Sequence, residues 1–198
     1  MTLSRRCLLA GGAAALAAPF VRPAHAQDSL VLPEVAGPPP PEVVALDPSL
    51  PPGEVHVDPA TFSLYLTLGL GEGLRYACGI GRAGLYEAGT FFVGAKKEWP
   101  SWTPTPDMIE REPEHYAQYA DGMPGGPDNP LGARALYLFT PERGDTFLRI
   151  HGTNAPETIG TAVSNGCARL INAQIVELYD LVLEGAAVHL YPSSPLGA

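Results

Sequence analysis

Short apolar runs with a period of two, cut off every few residues by glycine or proline, leave this chain little choice but a mainly β domain. The clearest run is Phe62-Ser63-Leu64-Tyr65-Leu66-Thr67-Leu68, whose alternation puts Phe62, Leu64, Leu66 and Leu68 on one face of a half-buried strand. Asp58-Pro59 before it and Gly71-Glu72-Gly73 after it supply the turns. The same pattern predicts strands over 54–58, 74–80 and 90–94, a β-meander, then 133–139 and 146–151, and a last strand over 187–191. One amphipathic helix interrupts the series. Ile175, Leu178, Tyr179 and Val182 recur at helical spacing, with Asn172 placed to cap the helix and Gly185 to stop it.

Residues 96–132 break the β pattern. They are rich in Pro, Gly and aromatics, and a stretch this long without strand character covers or builds a site in most compact domains. It is expected to wall a cleft, or to lie as a flap over one end of the sheet with Trp99 and Trp102 as its small core. These two readings are compatible.

The chain ends of the sequence read differently from its middle. Arg5-Arg6 followed by an apolar, Ala-rich run from Leu8 to Val21 and by Ala24-His25-Ala26 has the form of an export signal, with cleavage expected after Ala26. The run Ser4-Arg5-Arg6-Cys7-Leu8-Leu9 resembles a twin-arginine signal, which implies export across a bacterial inner membrane to the periplasm; an ordinary secretory signal is the alternative. The apolar run is shorter than the roughly 20 residues that span a bilayer, so no transmembrane anchor is expected. Residues 27–52 carry eight prolines, including Pro38 to Pro41, and read as a semi-rigid spacer. The folded domain is then 53–191, with 192–198 as a tail. Losing Arg5, Arg6 and Arg22 with the leader leaves nine Lys/Arg against 21 Asp/Glu. Such an acidic chain is a poor ligand for phosphate backbones, and nucleic acid is set aside.

Chemistry concentrates in one segment, HGTNAPETIGTAVSNGCARL, residues 151–170. His151 ends a predicted strand, and Cys167 follows sixteen positions later in a loop that Gly152, Pro156 and Gly160 allow to fold back. A cysteine becomes a nucleophile when a neighbouring base or cation supports its thiolate, and imidazole can both take the proton and return it. Gly166 permits a tight turn beside the sulfur, and the backbone N–H groups of Asn165, Gly166 and Cys167 are candidates for an oxyanion hole. Two blander readings stay open: a buried thiol near an unrelated imidazole, and a structural Cys78–Cys167 disulfide, since export permits one. Cys78 itself lies in a strand without a nearby histidine and looks like a small core residue. His56, His115 and His189 lack comparable partners; His189 alternates with Val188 and Leu190 and is expected on a surface face. No metal-ligand spacing of the C-x-x-C or H-x-x-x-H kind occurs, so neither metal nor other cofactor is expected. Ser164 has no G-x-S-x-G around it to suggest a serine hydrolase.

His151-Gly152-Thr153 followed by Ser164-Asn165-Gly166-Cys167-Ala168-Arg169-Leu170 resembles the two-part signature of the L,D-transpeptidase family, also called the YkuD domain. Trp99-Pro100-Ser101-Trp102-Thr103-Pro104 and the stretch from Met123 to Leu138 are similar to one periplasmic branch of it, so the resemblance covers the whole predicted domain. It implies a β-sandwich or barrel-like pair of sheets with one helix on the C-terminal side. It also implies Cys167 as nucleophile, His151 as base and acid, and the Gly152 carbonyl as the group that orients the imidazole. Arg169 would order the loop or meet a substrate carboxylate, and Ser164, Trp99 and Asn154 are further substrate-binding candidates. Where many members have histidine before the motif glycine, this chain has Asn165, which points to an altered cleft polarity.

The reaction implied by the resemblance is attack on a peptidoglycan stem tetrapeptide, release of D-alanine, and transfer of the acyl group from a Cys167 thioester to an amine. The acceptors implied by the resemblance are the amine of a neighbouring stem, a D-amino acid and a lysine of an outer-membrane protein; water would make the enzyme a carboxypeptidase. Carbapenems are expected to acylate the same thiol. The competing class is a non-catalytic peptidoglycan-binding domain.

Overall fold

The computed structural model describes residues 37–193; the expected leader, the first part of the predicted spacer and residues 194–198 lie outside the described residues. The architecture is mainly β. In chain order it comprises β1 (Glu42–Ala45), β2 (Val55–Asp58), β3 (Ser63–Gly69), β4 (Glu72–Ala77), β5 (Ile80–Gly81) and β6 (Gly89–Glu98). Then come α1 (Pro106–Arg111), α2 (Pro113–Tyr116), β7 (Arg134–Thr140), β8 (Gly144–His151), β9 (Ala162–Ser164), β10 (Ala168–Arg169), α3 (Asn172–Leu181) and β11 (Ala187–Leu190).

Nine strands form one mixed sheet in the order β1-β4-β3-β2-β11-β6-β7-β8-β10, and β5 and β9 form a separate pair. Of the predicted meander, β2, β3 and β4 pair in sequence order, whereas β6 leaves it to lie antiparallel between β11 and β7. Two pairings in the large sheet are parallel, β2 with β11 and β8 with β10. The sheet bends back on itself. Just past β4, Gly79 donates to the Arg169 carbonyl of β10 at 2.9 Å, and Arg169 N–H returns the bond to Gly79 at 2.8 Å. That bridge joins opposite flanks of the sheet order and gives it the barrel-like closure expected.

A single apolar cluster fills the interior. Val55, Val57, Leu64, Leu66 and Tyr76 come from one flank, Leu136, Leu138 and Ile150 from the other, and Ile175, Leu178 and Val182 from α3 and its end. Each fully buried aliphatic chain contributes about 1.5–3 kcal/mol over leaving it in water.

Four expectations are corrected. The spacer is not structurally separate over its second half: Glu42 to Ala45 pair with Arg75 to Glu72, and Gln174 of α3 donates to the Pro39 carbonyl at 2.8 Å. Prolines on both sides, Pro38 to Pro41 and Pro48, hid a short proline-free edge strand between them. In β3 the alternation fails at its end, because the register with β4 shifts between Thr67 and Gly69. Thr67 turns in, its hydroxyl donating to the Pro51 carbonyl at 2.6 Å, and Leu68 is left 44% exposed. Asn172 does not cap α3: it is the first helical residue, Ile171 occupies the cap, and the Asn172 side chain serves other backbone groups. Nor does Gly185 stop the helix, which ends at Leu181, where the Lys96 ammonium donates to the Tyr179 and Val182 carbonyls. A cation there also suits the negative end of the helix dipole.

The stretch between β6 and β7 folds as a flap with helical content that its many prolines disguised. Pro106 and Pro113 each begin a helix, where the missing N–H is no loss, and Thr105 caps α1 through its hydroxyl. Trp102 pairs with Met123 across the flap and packs on the rings of Tyr116 and Tyr119. Among the described residues, no helix is long and apolar enough to cross a membrane.

Candidate active site

His151 closes β8, and its ring is fixed by the next residue. Nδ1 lies 2.6 Å from the Gly152 carbonyl, so Nδ1–H donates and Nε2 keeps its lone pair. The Gly152 carbonyl is held in turn by a crowded joint. Asn172 Oδ1 accepts from Ala133 N–H at 2.9 Å and from Thr153 N–H at 3.3 Å, and sits between Gly132 and Gly152. A Cβ on either glycine would come within 2.2–2.3 Å of that oxygen. The glycine after His151 is thus demanded by close approach.

Burial holds the His151 imidazole neutral, dropping its pKa to about 4 despite the Gly152 carbonyl; the Arg169 and Arg149 charges push the same way as burial. Cys167 is half-buried, and burial pushes its thiol above the ordinary value, opposed by the Arg149 backbone N–H and by the charges of Arg149 and Arg169. The resting site is therefore a neutral imidazole and a neutral thiol.

Parallel pairing of β10 with β8 sets Ala168 opposite Ile150 and Arg169 opposite His151, which brings the Cys167 turn alongside the histidine. The turn is internally braced. Ser164 Oγ donates to the Cys167 carbonyl at 2.7 Å and accepts from Gly166 N–H at 3.3 Å, while Gly166 takes φ +121°. That φ favours glycine. Of the three expected oxyanion donors, Gly166 N–H is engaged by Ser164, which braces the turn and also lines the cleft. Sγ of Cys167 lies 4.0 Å from the Phe147 carbonyl. Among the described hydrogen bonds none joins Cys167 to His151, yet both line one cleft of about 860 Å³.

The flap supplies the cleft's far wall, through Trp102, Met108, Tyr116 and Tyr119. Asn165 fastens the wall to the cysteine turn: its Oδ1 accepts from Arg111 at 3.0 Å and Arg82 at 3.3 Å, and its Nδ2 donates to the Tyr116 hydroxyl at 2.8 Å. Glu112 pairs with the same Arg82. Arg169 lines the cleft with its Nε unpartnered, its Nη2 only 3.4 Å from the Thr158 carbonyl, and no carboxylate paired with it among the described residues. Asn154 also faces the cleft while donating to the Asp128 carbonyl at 2.8 Å. Trp99 does not line it: at φ +40° and 45% exposed, it stands outside, and Trp102 takes the place expected of it.

The disulfide reading is overturned, since Cys78 and Cys167 are both free thiols. Cys78 is fully buried in the core, and burial pushes its pKa up to about 12, as suits an inert thiol. Sequence reasoning missed Phe147, which the alternation placed in an ordinary strand. It is 70% exposed at φ +64° beside the sulfur, on the bulged stretch where the β7–β8 register shifts between Tyr137 and Phe139. A bulge beside a site has no period to betray it. Arg149 was missed too; it grips Asp145 through two bonds of 2.7 and 2.9 Å and lies 3.9 Å from the Tyr137 ring centre.

Comparison with known proteins agrees with this arrangement. The probable L,D-transpeptidase ErfK/SrfK of Escherichia coli is 38% identical over 117 residues, covering 58% of this chain and 36% of that protein. The chain thus spans about a third of that relative's length. A solved Brucella melitensis structure, named a probable carnitine operon oxidoreductase, is 46% identical with a TM-score of 0.53, covering 73% of this chain and 88% of that one. Its name denotes a different reaction. A mutant Enterococcus faecium L,D-transpeptidase shares the fold at 16% identity, with a TM-score of 0.54 over 72% of this chain and 50% of that one. The L,D-transpeptidase catalytic domain, YkuD, matches residues 52–190, the stretch that runs from just before β2 to the end of β11 and includes every group described in the cleft. By that match, this chain belongs to the L,D-transpeptidase family.

Proposed function

We propose that this protein is a cysteine-dependent L,D-transpeptidase of the periplasm, exported by its leader and acting on peptidoglycan stem tetrapeptides. The observation that carries the reading is the anchored imidazole: Nδ1–H is committed to the Gly152 carbonyl, so Nε2 carries the basic lone pair, on a histidine that lines the same cleft as Cys167. Neutral imidazole beside neutral thiol is the pair that general-base catalysis starts from.

In the proposed step, Nε2 takes the thiol proton as Sγ attacks the carbonyl carbon before the terminal D-alanine. The C–N bond breaks, the imidazolium returns its proton to the leaving amine, and a Cys167 thioester remains. An acceptor amine then attacks the thioester, forming the new amide and restoring the thiol. The transfer draws on the energy of the cleaved bond and needs no nucleotide. Neighbouring stems are the acceptor class; water, a D-amino acid or an outer-membrane protein lysine would use the same thioester. Arg169, largely buried and with no carboxylate partner among the described residues, suits a substrate carboxylate.

The test is intact mass after incubation with a carbapenem. The wild-type chain gains one drug mass on Cys167, and Cys167→Ala gains none, with transpeptidation lower by on the order of 10⁴-fold or more. A wild-type protein with both thiols free that stays unmodified and inert would favour the peptidoglycan-binding reading.

A further inference from the structure

A second cluster of chemically capable groups lies on β2 and β11, separated from β8 by β6 and β7. Val55, Val57, Val188 and Leu190 face the core, so the intervening His56 and His189 project from the sheet's other face, directly opposite one another in the parallel ladder. Glu54 precedes them at the foot of β2. Its backbone is pinned to Thr67, whose hydroxyl accepts from Glu54 N–H at 2.9 Å.

The rings stack with centroids 4.8 Å apart and an interplanar angle of 18°. Both Nε2 atoms converge on one carboxylate oxygen, Glu54 Oε2, each at 3.4 Å. That is longer than the 2.7–3.2 Å of an N–H···O bond. His56 Nε2 has no hydrogen-bond partner, although its side chain is only 6% exposed. The opposite nitrogens are engaged: His56 Nδ1 lies 2.9 Å from the Tyr191 hydroxyl, and His189 Nδ1 lies 3.4 Å from Thr90 Oγ1. In the tautomer whose Nδ1–H donates to those hydroxyl oxygens, each Nε2 presents a lone pair. Two imidazole nitrogens and a carboxylate oxygen then lie within 4.8 Å of one another, and a modest turn of the stacked rings would aim both nitrogens at one ion.

We propose that Glu54, His56 and His189 form a zinc site. The donor set, two imidazoles and one carboxylate with an open fourth position, is one that zinc takes. The spacing agrees as well: atoms about 2.1 Å from a tetrahedral centre stand about 3.4 Å apart, which matches both nitrogen–oxygen separations. Tyr191 and Thr90 are the outer partners, whose hydroxyl oxygens would accept from Nδ1–H once Nε2 holds the metal. Bound there, zinc ties β2 to β11 across a parallel pairing that no hairpin connects.

The test uses the full chain carrying Cys167→Ala, so that the cleft thiol cannot bind metal; Cys7 and His25 are common to every variant compared. After chelator treatment, Co²⁺ is titrated by visible absorption and then displaced with Zn²⁺ under calorimetry. One equivalent of Co²⁺ with tetrahedral d–d bands, displaced by Zn²⁺, is expected, and Zn²⁺ raises the melting temperature. His189→Ala weakens Zn²⁺ by at least about 100-fold, and Tyr191→Phe, acting only on ring orientation, by about 10- to 100-fold. His189 is partly exposed, so its variant keeps the test open should His56→Ala fail to fold. Affinity unchanged by both His189→Ala and Glu54→Gln, or no binding in any protein, overturns the site and leaves a stacked histidine pair beside a carboxylate.

Discussion

The large sheet has two parallel pairings, and each sets a histidine in register beside the joint: His151 opposite Arg169 on β8 and β10, His56 opposite His189 on β2 and β11. The local device is shared. In both places Nδ1 is tied to an oxygen, the Gly152 carbonyl in one and the Tyr191 hydroxyl in the other, and Nε2 is left over. What differs is the company of that second nitrogen. Beside His151 there is a thiol and an open cleft; beside His56 there is another imidazole and a carboxylate. One arrangement suits moving a proton, and the other suits holding a cation. An oriented histidine is therefore only half of a function, and the neighbour across the parallel joint supplies the rest.

The largest effect that would sharpen this contrast is on catalysis. His151→Ala should lower transpeptidation by about 10²- to 10⁴-fold with the thiol still present, whereas His56→Ala should leave the proposed chemistry of the cleft intact. A comparable loss of activity from both variants, each shown to be folded, would break the distinction. Because burial drops the His151 pKa to about 4, the acid limb of kcat/KM should fall near pH 4 in place of the region around 6.5.

The same shift predicts a stability difference. Below about pH 6.5 the unfolded chain takes a proton on this imidazole that the folded chain refuses until about pH 4. The folded state thus holds its full share of stability above 6.5 and loses up to roughly 3 kcal/mol as pH falls toward 4. Denaturant melts of His151→Gln across that window should show a shallower decline than wild type. Equal slopes would mean that the imidazole is not buried neutral.

A smaller effect is expected at the joint behind the ring. Asn172→Ala strands the Ala133 and Thr153 N–H groups and should destabilise by about 1–3 kcal/mol. It should also weaken carbapenem acylation, because the Gly152 carbonyl loses its support. Smallest of all, Asn165→Ala releases Arg111 and Tyr116 from the cysteine turn; KM should rise a few-fold with kcat nearly kept, within about 1 kcal/mol. Steady-state kinetics on a stem-peptide substrate reads both parameters.

Much of the first histidine's surroundings was legible because its partners lie within twenty residues in sequence. His151, Gly152, Ser164, Gly166 and Cys167 sit in one segment, and a strand end followed by a glycine-rich turn needs few alternatives to bring them together. The second cluster was not legible. His189 alternates with apolar neighbours and reads as a surface residue, and only the pairing of β11 with β2, across more than a hundred residues, puts it on His56. Asn172 misled for a related reason: its type and position fit a helix cap, but a tertiary demand from Ala133 and Thr153 took its oxygen. In the flap, prolines that suggest irregular chain instead open α1 and α2.

The bridge between Gly79 and Arg169 fastens strands about ninety positions apart, and Cys167 stands two residues from it. Contacts between such distant points require the chain to surrender much of its freedom before they return anything, and they form late in folding. The hairpins of β3–β4 and β7–β8 need no such wait. Cys167 thus stands between a local joint, β10 on β8, and a distant one, and a refolding chain should recover its hairpins before the closure beside that thiol is complete.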